Sequence, residues 1–364
     1  MTGPGTDVPV TDAEQAAMHR ALALAETVRG RTSPNPAVGA VVLDADGMLA
    51  GEGATAPAGG PHAEIRALAA AGERARGGSA VVTLEPCAHT GRTPPCTDAL
   101  LAAGIARVIY AVVDPNPEAA GGAEKLRAAG VELCEGVEAD AAASGALGPW
   151  LFAMRHGRPF VTWKFAASLD GRAAAADSSS RWISSAAARA DVHALRNVVD
   201  AVMVGSGTVL TDDPQLTVRV DGVPADHQPL RVVLDRRHRV PQDALVFDSA
   251  AATVVLDTAA PRFALKALFD RGVRHVLLEG GPTLAGAFVE ARCVDEVIAY
   301  LAPMVLGAGP PALGEAGVAT LADAVRLDIV SVHRVGDDVK LVGRPRFPDD
   351  VEGTRARLID MDGE

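Results

Sequence analysis

The spacing of apolar and polar positions sorts the chain into two successive runs of elements. Thr11-Asp12-Ala13-Glu14 has the form of a capping box, and an apolar stripe follows at helical spacing through Met18, Leu22 and Ala25. Gly30 and Pro34-Asn35-Pro36 end that helix. Residues 38–43 form an apolar run of strand length, Asp46-Gly47 marks a turn, and a partner strand is expected near Leu49. Residues 62–71 are Ala-rich and helical, and 80–84 read as a buried strand. Pro94 and Pro95 mark a helix start that runs through Leu100 and Leu101 to Gly104. A strand over 107–113, a helix over 123–129 and a strand over 131–134 complete the first run, a layered α/β arrangement.

Near Arg155 the pattern restarts. Strands are predicted over 160–165, 201–204, 231–234 and 275–278, and helices over 185–197, 264–271 and 282–290. Further strands near 297–301, 329–335 and 339–342 close the run. Strand–helix alternation implies a mostly parallel sheet. The expected organisation is a tail over 1–11, a first domain over 12–157, a second over 158–347 and a loose tail over 348–364. No internal repeat links the halves.

A length of 364 residues fits about two domains at roughly 150 residues each. Apolar residues make up 48% and charged residues 22%, so wholesale disorder is excluded. No apolar stretch reaches the roughly 20 residues of a membrane span, and the first ten residues lack the features of a secretory signal. The net charge is −12. Residues 1–157 hold 11 Lys+Arg against 18 Asp+Glu, and residues 158–364 hold 23 against 28. Neither half offers the basic face that nucleic acid requires, so a phosphate here is expected to be a single group held by a few placed cations. The four cysteines are Cys87, Cys96, Cys134 and Cys293. The close pair beside His and Glu points to metal rather than disulfides, and the expected compartment is the cytoplasm.

His62-Ala63-Glu64 opens a predicted helix, Pro86-Cys87 follows a predicted strand, and Cys96 comes eight intervening residues later. One imidazole and two thiolates leave a tetrahedral Zn²⁺ with one open position, the pattern of a catalytic site. Glu64 is not counted as a ligand. Its chemistry is proton traffic, from an attacking water to a ring nitrogen and then to a leaving amine. His-x-Glu followed by Pro-Cys and a second Cys is the signature of zinc-dependent base deaminases. A structural zinc, or two unrelated buried thiols, are the competing readings.

The run Glu85-Pro86-Cys87-Ala88-His89-Thr90-Gly91-Arg92-Thr93-Pro94-Pro95-Cys96 resembles the deaminase half of the bifunctional riboflavin-biosynthesis deaminase/reductase family. Pro34-Asn35-Pro36-Ala37-Val38-Gly39 resembles that family's substrate loop, with Ser33 where the family often has His. The resemblance runs from about residue 12 to about 345. It implies a cytidine-deaminase-like three-layer domain followed by a dihydrofolate-reductase-like domain. It also implies a phosphorylated pyrimidine substrate, with Asn35 contacting it and His89, Arg92 and Thr93 binding its ribose phosphate.

Four stretches in the second half carry the same resemblance. They are Lys164-Phe-Ala-Ala-Ser-Leu-Asp-Gly171, Gly205-Ser206-Gly207-Thr208 with Asp212-Asp213-Pro214, Arg231–Asp235, and Leu278-Glu279-Gly280-Gly281-Pro282-Thr283-Leu284. The last joins a strand to a helix through two glycines, the best anion site in the sequence. By resemblance this half binds NADPH through Ala166, Ser168, Trp182, Thr208, Asp212 and the run Gly281, Pro282, Thr283, Leu284, Ala285, Gly286 and Ala287. Ala166 stands where the family often has Gly. Substrate contacts are implied for Ser180, Arg196, Leu216, Arg219 and Glu279. Asp170 reads as a turn acid. Arg236 and Arg237 read as a solvated pair, with contact to the cofactor's extra phosphate as the alternative. A homo-oligomer without nucleic-acid or membrane partners is expected. The competing functions are a nucleoside, nucleotide or RNA base deaminase with a non-catalytic second half, and a structural zinc protein.

Overall fold

A computed structural model describes residues 9–89, 94–117, 119–177, 179–180 and 182–348. The chain divides after Arg158 into two compact units. Among the described residues no helix is long and apolar enough to cross a membrane.

The first unit runs α1 (Asp12–Thr27), β1 (Gly39–Leu43), β2 (Leu49–Ala54), α2 (Ala63–Ala71), β3 (Ser79–Leu84), α3 (Cys96–Ala102), β4 (Arg107–Val112), α4 (Gly122–Ala128), β5 (Glu132–Glu135), α5 (Ala139–Ser144) and α6 (Gly148–His156). The capping box is present: Thr11 Oγ1 accepts the Glu14 N–H at 3.2 Å, and the Glu14 carboxylate accepts the Thr11 N–H at 2.9 Å. The sheet order is β2-β1-β3-β4-β5, with β1 antiparallel to both neighbours and β3, β4 and β5 parallel. All five residues of β1 are buried, because helices cover both of its faces.

Two glycines show how α2 comes to lie on the sheet. A Cβ on Gly51 would stand 2.3 Å from the Ala67 carbonyl oxygen, and one on Gly53 2.8 Å from that of Ala63. The helix answers with Ala63, Ala67 and Ala71, all buried at a spacing of four. Opposed residues in a sheet share a face, so Ala40 and Val42, paired with Gly53 and Gly51, also point to α2. Gly39 and Val41 then point to α1, whose Ala21 backbone lies against Gly39. This makes three layers and fixes the N-terminal end of α2, where His62 and Glu64 sit.

The second unit runs β6 (Phe160–Ser168), α7 (Ala186–Arg196), β7 (Ala201–Gly205), α8 (Ser206–Asp212), β8 (Arg219–Val220), β9 (Val223–Pro224), β10 (Leu230–Leu234), β11 (Thr253–Leu256), α9 (Pro261–Asp270), β12 (His275–Leu278), α10 (Pro282–Glu290), β13 (Glu296–Ala302), β14 (Arg326–Val335) and β15 (Asp338–Arg346). The main sheet has the order β11-β10-β7-β12-β6-β13-β15-β14. Strands β11 through β13 in that order pair in parallel, as strand–helix alternation predicts, and β15 and β14 add an antiparallel hairpin at one edge. Val161, Met203, Val232, Val276 and Leu278 build the core between this sheet and α9 and α10.

Helices α5, α6 and α8 and strands β8, β9 and β11 are additions to the sequence reading. Each is two to nine residues long, too short for a periodic signal to emerge. Strand β14 begins at Arg326 rather than 329, since most of it is exposed and shows little apolar alternation.

The close approach of β2 to α2 gives a direct test. Gly51→Ala is expected to cost about 1–3 kcal/mol through overpacking, seen as a lower urea midpoint with unchanged slope. An unchanged midpoint would show that α2 has room to move off the sheet.

Candidate active sites

His62 is the residue preceding α2, with extended backbone (φ −70°, ψ 164°), and Glu64 lies in the helix's first turn. Cys87 follows β3, and Cys96 begins α3. These elements bring His62 Nδ1 within 3.2 Å of Cys96 Sγ and 3.7 Å of Cys87 Sγ. Zinc bonds of about 2.0–2.1 Å to nitrogen and about 2.3 Å to sulfur set a tetrahedral N···S edge of about 3.6 Å, which the two separations bracket. Among the described residues this is the one cluster of three metal-ligating side chains.

The protonation chemistry of the donor set also fits a cation. Hydrogen bonding from the Cys96 thiol, then from His62 and the Cys96 amide, pulls the Cys87 thiol down to about 4 against the effect of burial. The same sharing, with burial, pushes Cys96 up. The pair thus holds one negative charge between two sulfurs, and a divalent ion is what allows both to ionise. Glu64 is 5% exposed, and burial raises its carboxyl above the usual carboxylate range. A raised carboxyl is suited to taking and giving protons near neutral pH.

His62, Glu64 and Cys87 open onto a cavity of about 110 Å³ that also includes Asn35, His89, Asp114 and Trp150, with Cys96 buried behind them. Asn35 is held in its loop by Thr32, whose hydroxyl donates to the Asn35 carbonyl at 3.0 Å, while Trp150 Nε1 donates to the Pro34 carbonyl at 3.0 Å. His89 Nδ1 is buried without a hydrogen-bond partner among the described residues. Arg92 and Thr93 lie outside the described residues. Asp114 and Trp150 are cavity residues that the sequence reading missed. Asp114 follows β4 at the carboxyl end of a parallel strand, where α/β sheets place ligands, and that position was its only signal. Burial pushes Asp114 up to about 6.

Glu85 secures this loop region. Its carboxylate accepts the Asp114 N–H at 3.2 Å and the Ala123 N–H at 2.9 Å. Gly122, between these partners, admits no side chain: a Cβ there would meet the Pro86 carbonyl oxygen at 1.7 Å.

The second unit contains two neighbouring cavities. One, of about 620 Å³, has Glu279 and Lys164 in its wall with Arg196, Leu216 and Arg219. The other, of about 580 Å³, follows the Gly205-Ser206-Gly207 and Gly281–Leu284 turns. Ser180, Thr208 and Asp212 belong to both. Thr208 Oγ1 accepts the Gly281 N–H at 3.2 Å, joining the two glycine turns.

Glu279 is the electrostatic centre of the larger cavity. Arg196 forks onto it, Nε to Oε1 at 2.6 Å and Nη2 to Oε2 at 3.0 Å, and Lys164 Nζ stands 3.7 Å away. Burial alone would raise the Glu279 carboxyl, but Arg196 and Lys164 hold it down to about 2. Burial lowers Lys164. Arg196 Nη1 also donates to the Thr217 carbonyl at 3.0 Å, so its guanidinium is largely committed to the protein. Arg219 is exposed, and its backbone N–H donates to His193 Nδ1 at 3.2 Å. Asp213 and Leu216 take left-handed backbone (φ 40° and 56°), which marks the loop between them as strained at a functional edge.

The implied cofactor residues divide by position. Thr208, Asp212, Gly281, Pro282, Thr283, Leu284 and Ala287 line the glycine-rich groove, whereas Trp182 lines the larger cavity with Arg189 stacked 4.3 Å over its ring. Ala166 packs with Ala188 and Tyr300, and the Ser168 hydroxyl is used within its own turn, donating to Asp170 at 2.6 Å. Ala285 is in the core, and a Cβ on Gly286 would meet the Glu315 carbonyl oxygen at 2.0 Å. A helix turns these two away from the face that carries Leu284 and Ala287. Asp170 also accepts the Leu306 and Gly307 N–H groups, as a turn acid does. Lys164 opens one of the sequence motifs, and the structure puts it in the cavity wall beside Glu279, a role that the sequence does not show.

The donor set predicts one zinc per chain in the wild type and little in Cys96→Ser, measured by metal analysis of purified protein. Undiminished zinc in that variant would remove Cys96 from the ligand set.

Comparison with known proteins matches both units. The family model for the cytidine and deoxycytidylate deaminase zinc-binding region matches residues 11–112, and that for the RibD C-terminal domain matches residues 159–341. The riboflavin biosynthesis protein RibD of Mycobacterium tuberculosis is 50% identical over 326 residues, covering 89% of this chain and 95% of that one. RibD of Escherichia coli is 40% identical over 361 residues, with 89% and 97% covered. Among solved structures, RibD of Acinetobacter baumannii superposes with a TM-score of 0.83 at 38% identity, covering 92% of this chain and 99% of that one. A diaminohydroxyphosphoribosylaminopyrimidine deaminase/5-amino-6-(5-phosphoribosylamino)uracil reductase of Thermotoga maritima gives 0.85 at 34% identity with the same coverage. With both halves matched and relatives covered nearly end to end, this chain belongs to the RibD family of riboflavin biosynthesis proteins.

Proposed function

We propose that the chain is a bifunctional enzyme of riboflavin biosynthesis. Its first unit removes a ring amino group from 2,5-diamino-6-(5-phosphoribosylamino)pyrimidin-4-one by hydrolysis. Its second unit reduces the ribosyl side chain of the product to ribityl with NADPH. The observation that carries this reading is Glu64: a buried carboxyl with a raised pKa, beside the His62–Cys87–Cys96 cluster but outside it. A structural zinc site has no use for such a group.

His62, Cys87 and Cys96 would hold the zinc, which would supply the Lewis acidity that brings a water's pKa to about 7. Glu64 accepts one proton of the attacking water and delivers it to the ring nitrogen; it then takes the proton of the hydroxyl added at the ring carbon and passes it to the amino group, so that the C–N bond breaks, ammonia leaves and a carbonyl remains. Asn35 and Asp114 face the pyrimidine, and Asp114, held near 6, accepts or donates according to the group it meets. His89 lies toward the phosphoribosyl end.

In the second unit the groove along the Gly205–Gly207 and Gly281–Leu284 turns would hold NADPH, which would supply hydride for the ribose carbon once its bond to the ring oxygen has opened. Lys164, lowered by burial, holds the proton that the opened sugar must receive. Glu279 keeps Lys164 in place, and Arg196 keeps Glu279 ionised. Arg219 is the phosphate cation, because it projects into the cavity without a carboxylate fork of the kind that occupies Arg196. Exposed Ile329, Val330 and Val332 on the edge strand β14 support assembly with further copies of the chain.

Glu64→Gln tests the reading. Shape and hydrogen-bonding reach are retained, but the amide takes up no proton. Deamination is expected to fall by at least about 10²–10⁴-fold, with zinc still bound. NADPH consumption on the deaminated intermediate should be unchanged. Parallel collapse of both activities in a folded variant would overturn the assignment of one reaction to each unit.

Arg219→Lys tests the phosphate site. The fork geometry is lost, and the weaker contact is expected to cost about 1.5–3 kcal/mol in substrate KM with NADPH affinity retained. Unchanged KM would make Arg219 a surface charge.

A further inference from the structure

The two cavities of the second unit give the dinucleotide a direction. They share Ser180, Thr208 and Asp212, so hydride must cross there. Leu234, Arg239 and Ala259 line the glycine-rich groove alone. They come from the end of β10 and from beyond β10 and β11, the outer strands on that side of the sheet. With nicotinamide at the shared residues, this outer end receives the adenosine half.

Two observations fix the charge there. Arg239 is the one basic side chain among the described residues lining the groove. Its Nη2 donates to Ser206 Oγ at 2.8 Å, which orients the guanidinium while using one of its five N–H donors. Asp235 follows β10, a position analogous to the strand end at which Rossmann-type domains place the acid that hydrogen-bonds the ribose 2′-hydroxyl of NADH. Here Asp235 is 2% exposed and absent from the groove lining, and its carboxylate accepts the Val240 N–H at 2.9 Å. The acid is thus buried beneath the loop, where it also bonds the Arg239 N–H and Ser206 and attracts the Arg239 guanidinium, so that it anchors the loop and the Ser206–Arg239 pair from behind the groove. Arg236 and Arg237, the pair suggested by sequence, are exposed and lie outside the lining.

We propose that Arg239, oriented by Ser206, recognises the 2′-phosphate of NADPH and is the residue that selects this cofactor over NADH. The proposal rests on the reductase reading of the second unit. A guanidinium offers two parallel donors to phosphate oxygens, and NADH has nothing to fill that place. Specificity then lies in a single charged contact at the outer end of the groove, away from the reacting carbon.

The test is equilibrium binding to the full-length chain, followed by nicotinamide fluorescence. NADPH and NADH are titrated into wild type, Arg239→Ala and Arg236→Ala, with adenosine 2′,5′-bisphosphate as a competitor that probes the adenosine end alone. Wild type is expected to prefer NADPH. Arg239→Ala should weaken NADPH by about 10–100-fold and leave NADH within about twofold, the loss of one charge-assisted contact. The bisphosphate should lose its competition in the same variant, and Arg236→Ala should keep the wild-type preference. An equal loss of both dinucleotides, no change in NADPH affinity, or loss of preference in Arg236→Ala would each overturn the proposal. Equal wild-type affinity for the two dinucleotides would overturn this assignment alone. Wild type that binds neither would overturn the reductase reading with it.

Discussion

Glu85 and Glu279 stand just beyond the ends of β3 and β12, and the geometry of each active site depends on what their carboxylates hold. Glu85 gathers the loop after β4 and the start of α4 through two backbone N–H groups. Glu279 gathers α7, through Arg196, and β6, through Lys164. A buried carboxylate is costly unless its oxygens are fully used, and charge-assisted bonds of about 1.5–3 kcal/mol each make that arrangement stable. Removing one partner would leave a buried charge uncompensated, so these loops are tied to the sheet more firmly than their irregular backbone suggests. The same acids stand beside the chemistry: Glu85 lines the cavity with Glu64, and Glu279 touches Lys164.

Two buried carboxyls in this chain have opposite fates, and the cause is the neighbour rather than the depth. Glu64 is raised because burial outweighs the help it receives from its own helix end and from His62. Glu279 is lowered because Arg196 and Lys164 outweigh a comparable burial. One group is therefore prepared to carry a proton, and the other is prepared never to carry one. Proton movement in the second cavity falls to Lys164, whose ammonium burial destabilises.

The parts legible in the sequence were those set by near neighbours along the chain. His62 and Glu64 are two residues apart at a helix start, and the Ala63–Ala67–Ala71 stripe is a one-dimensional pattern. Parallel pairing in the second unit followed from strand–helix alternation. What escaped depends on contacts across the fold. Nothing near Trp150 in the chain points to Pro34, and nothing near Asp114 points to the zinc ligands. The sequence gives Arg196 and Glu279 as two separate substrate contacts and does not show that they pair, because they lie 83 residues apart. Treating residues 281–287 as one binding run overlooked helix geometry, which sends Ala285 into the core while Leu284 and Ala287 face the groove.

The same partition of charge explains how an acidic protein handles anionic ligands. With a net charge of −12, the long-range field does not attract phosphate. Binding must come from cations whose nearest acids are pointed elsewhere or already satisfied. Glu279 is satisfied by Arg196, so it does not compete for Arg219. Asp235 lies behind the groove, bonded to Val240, the Arg239 N–H and Ser206, so the acid that attracts Arg239 is outside the lining, and Asp212 near the shared end is the carboxylate within it. Local pairing, rather than overall charge, therefore decides where each phosphate is held.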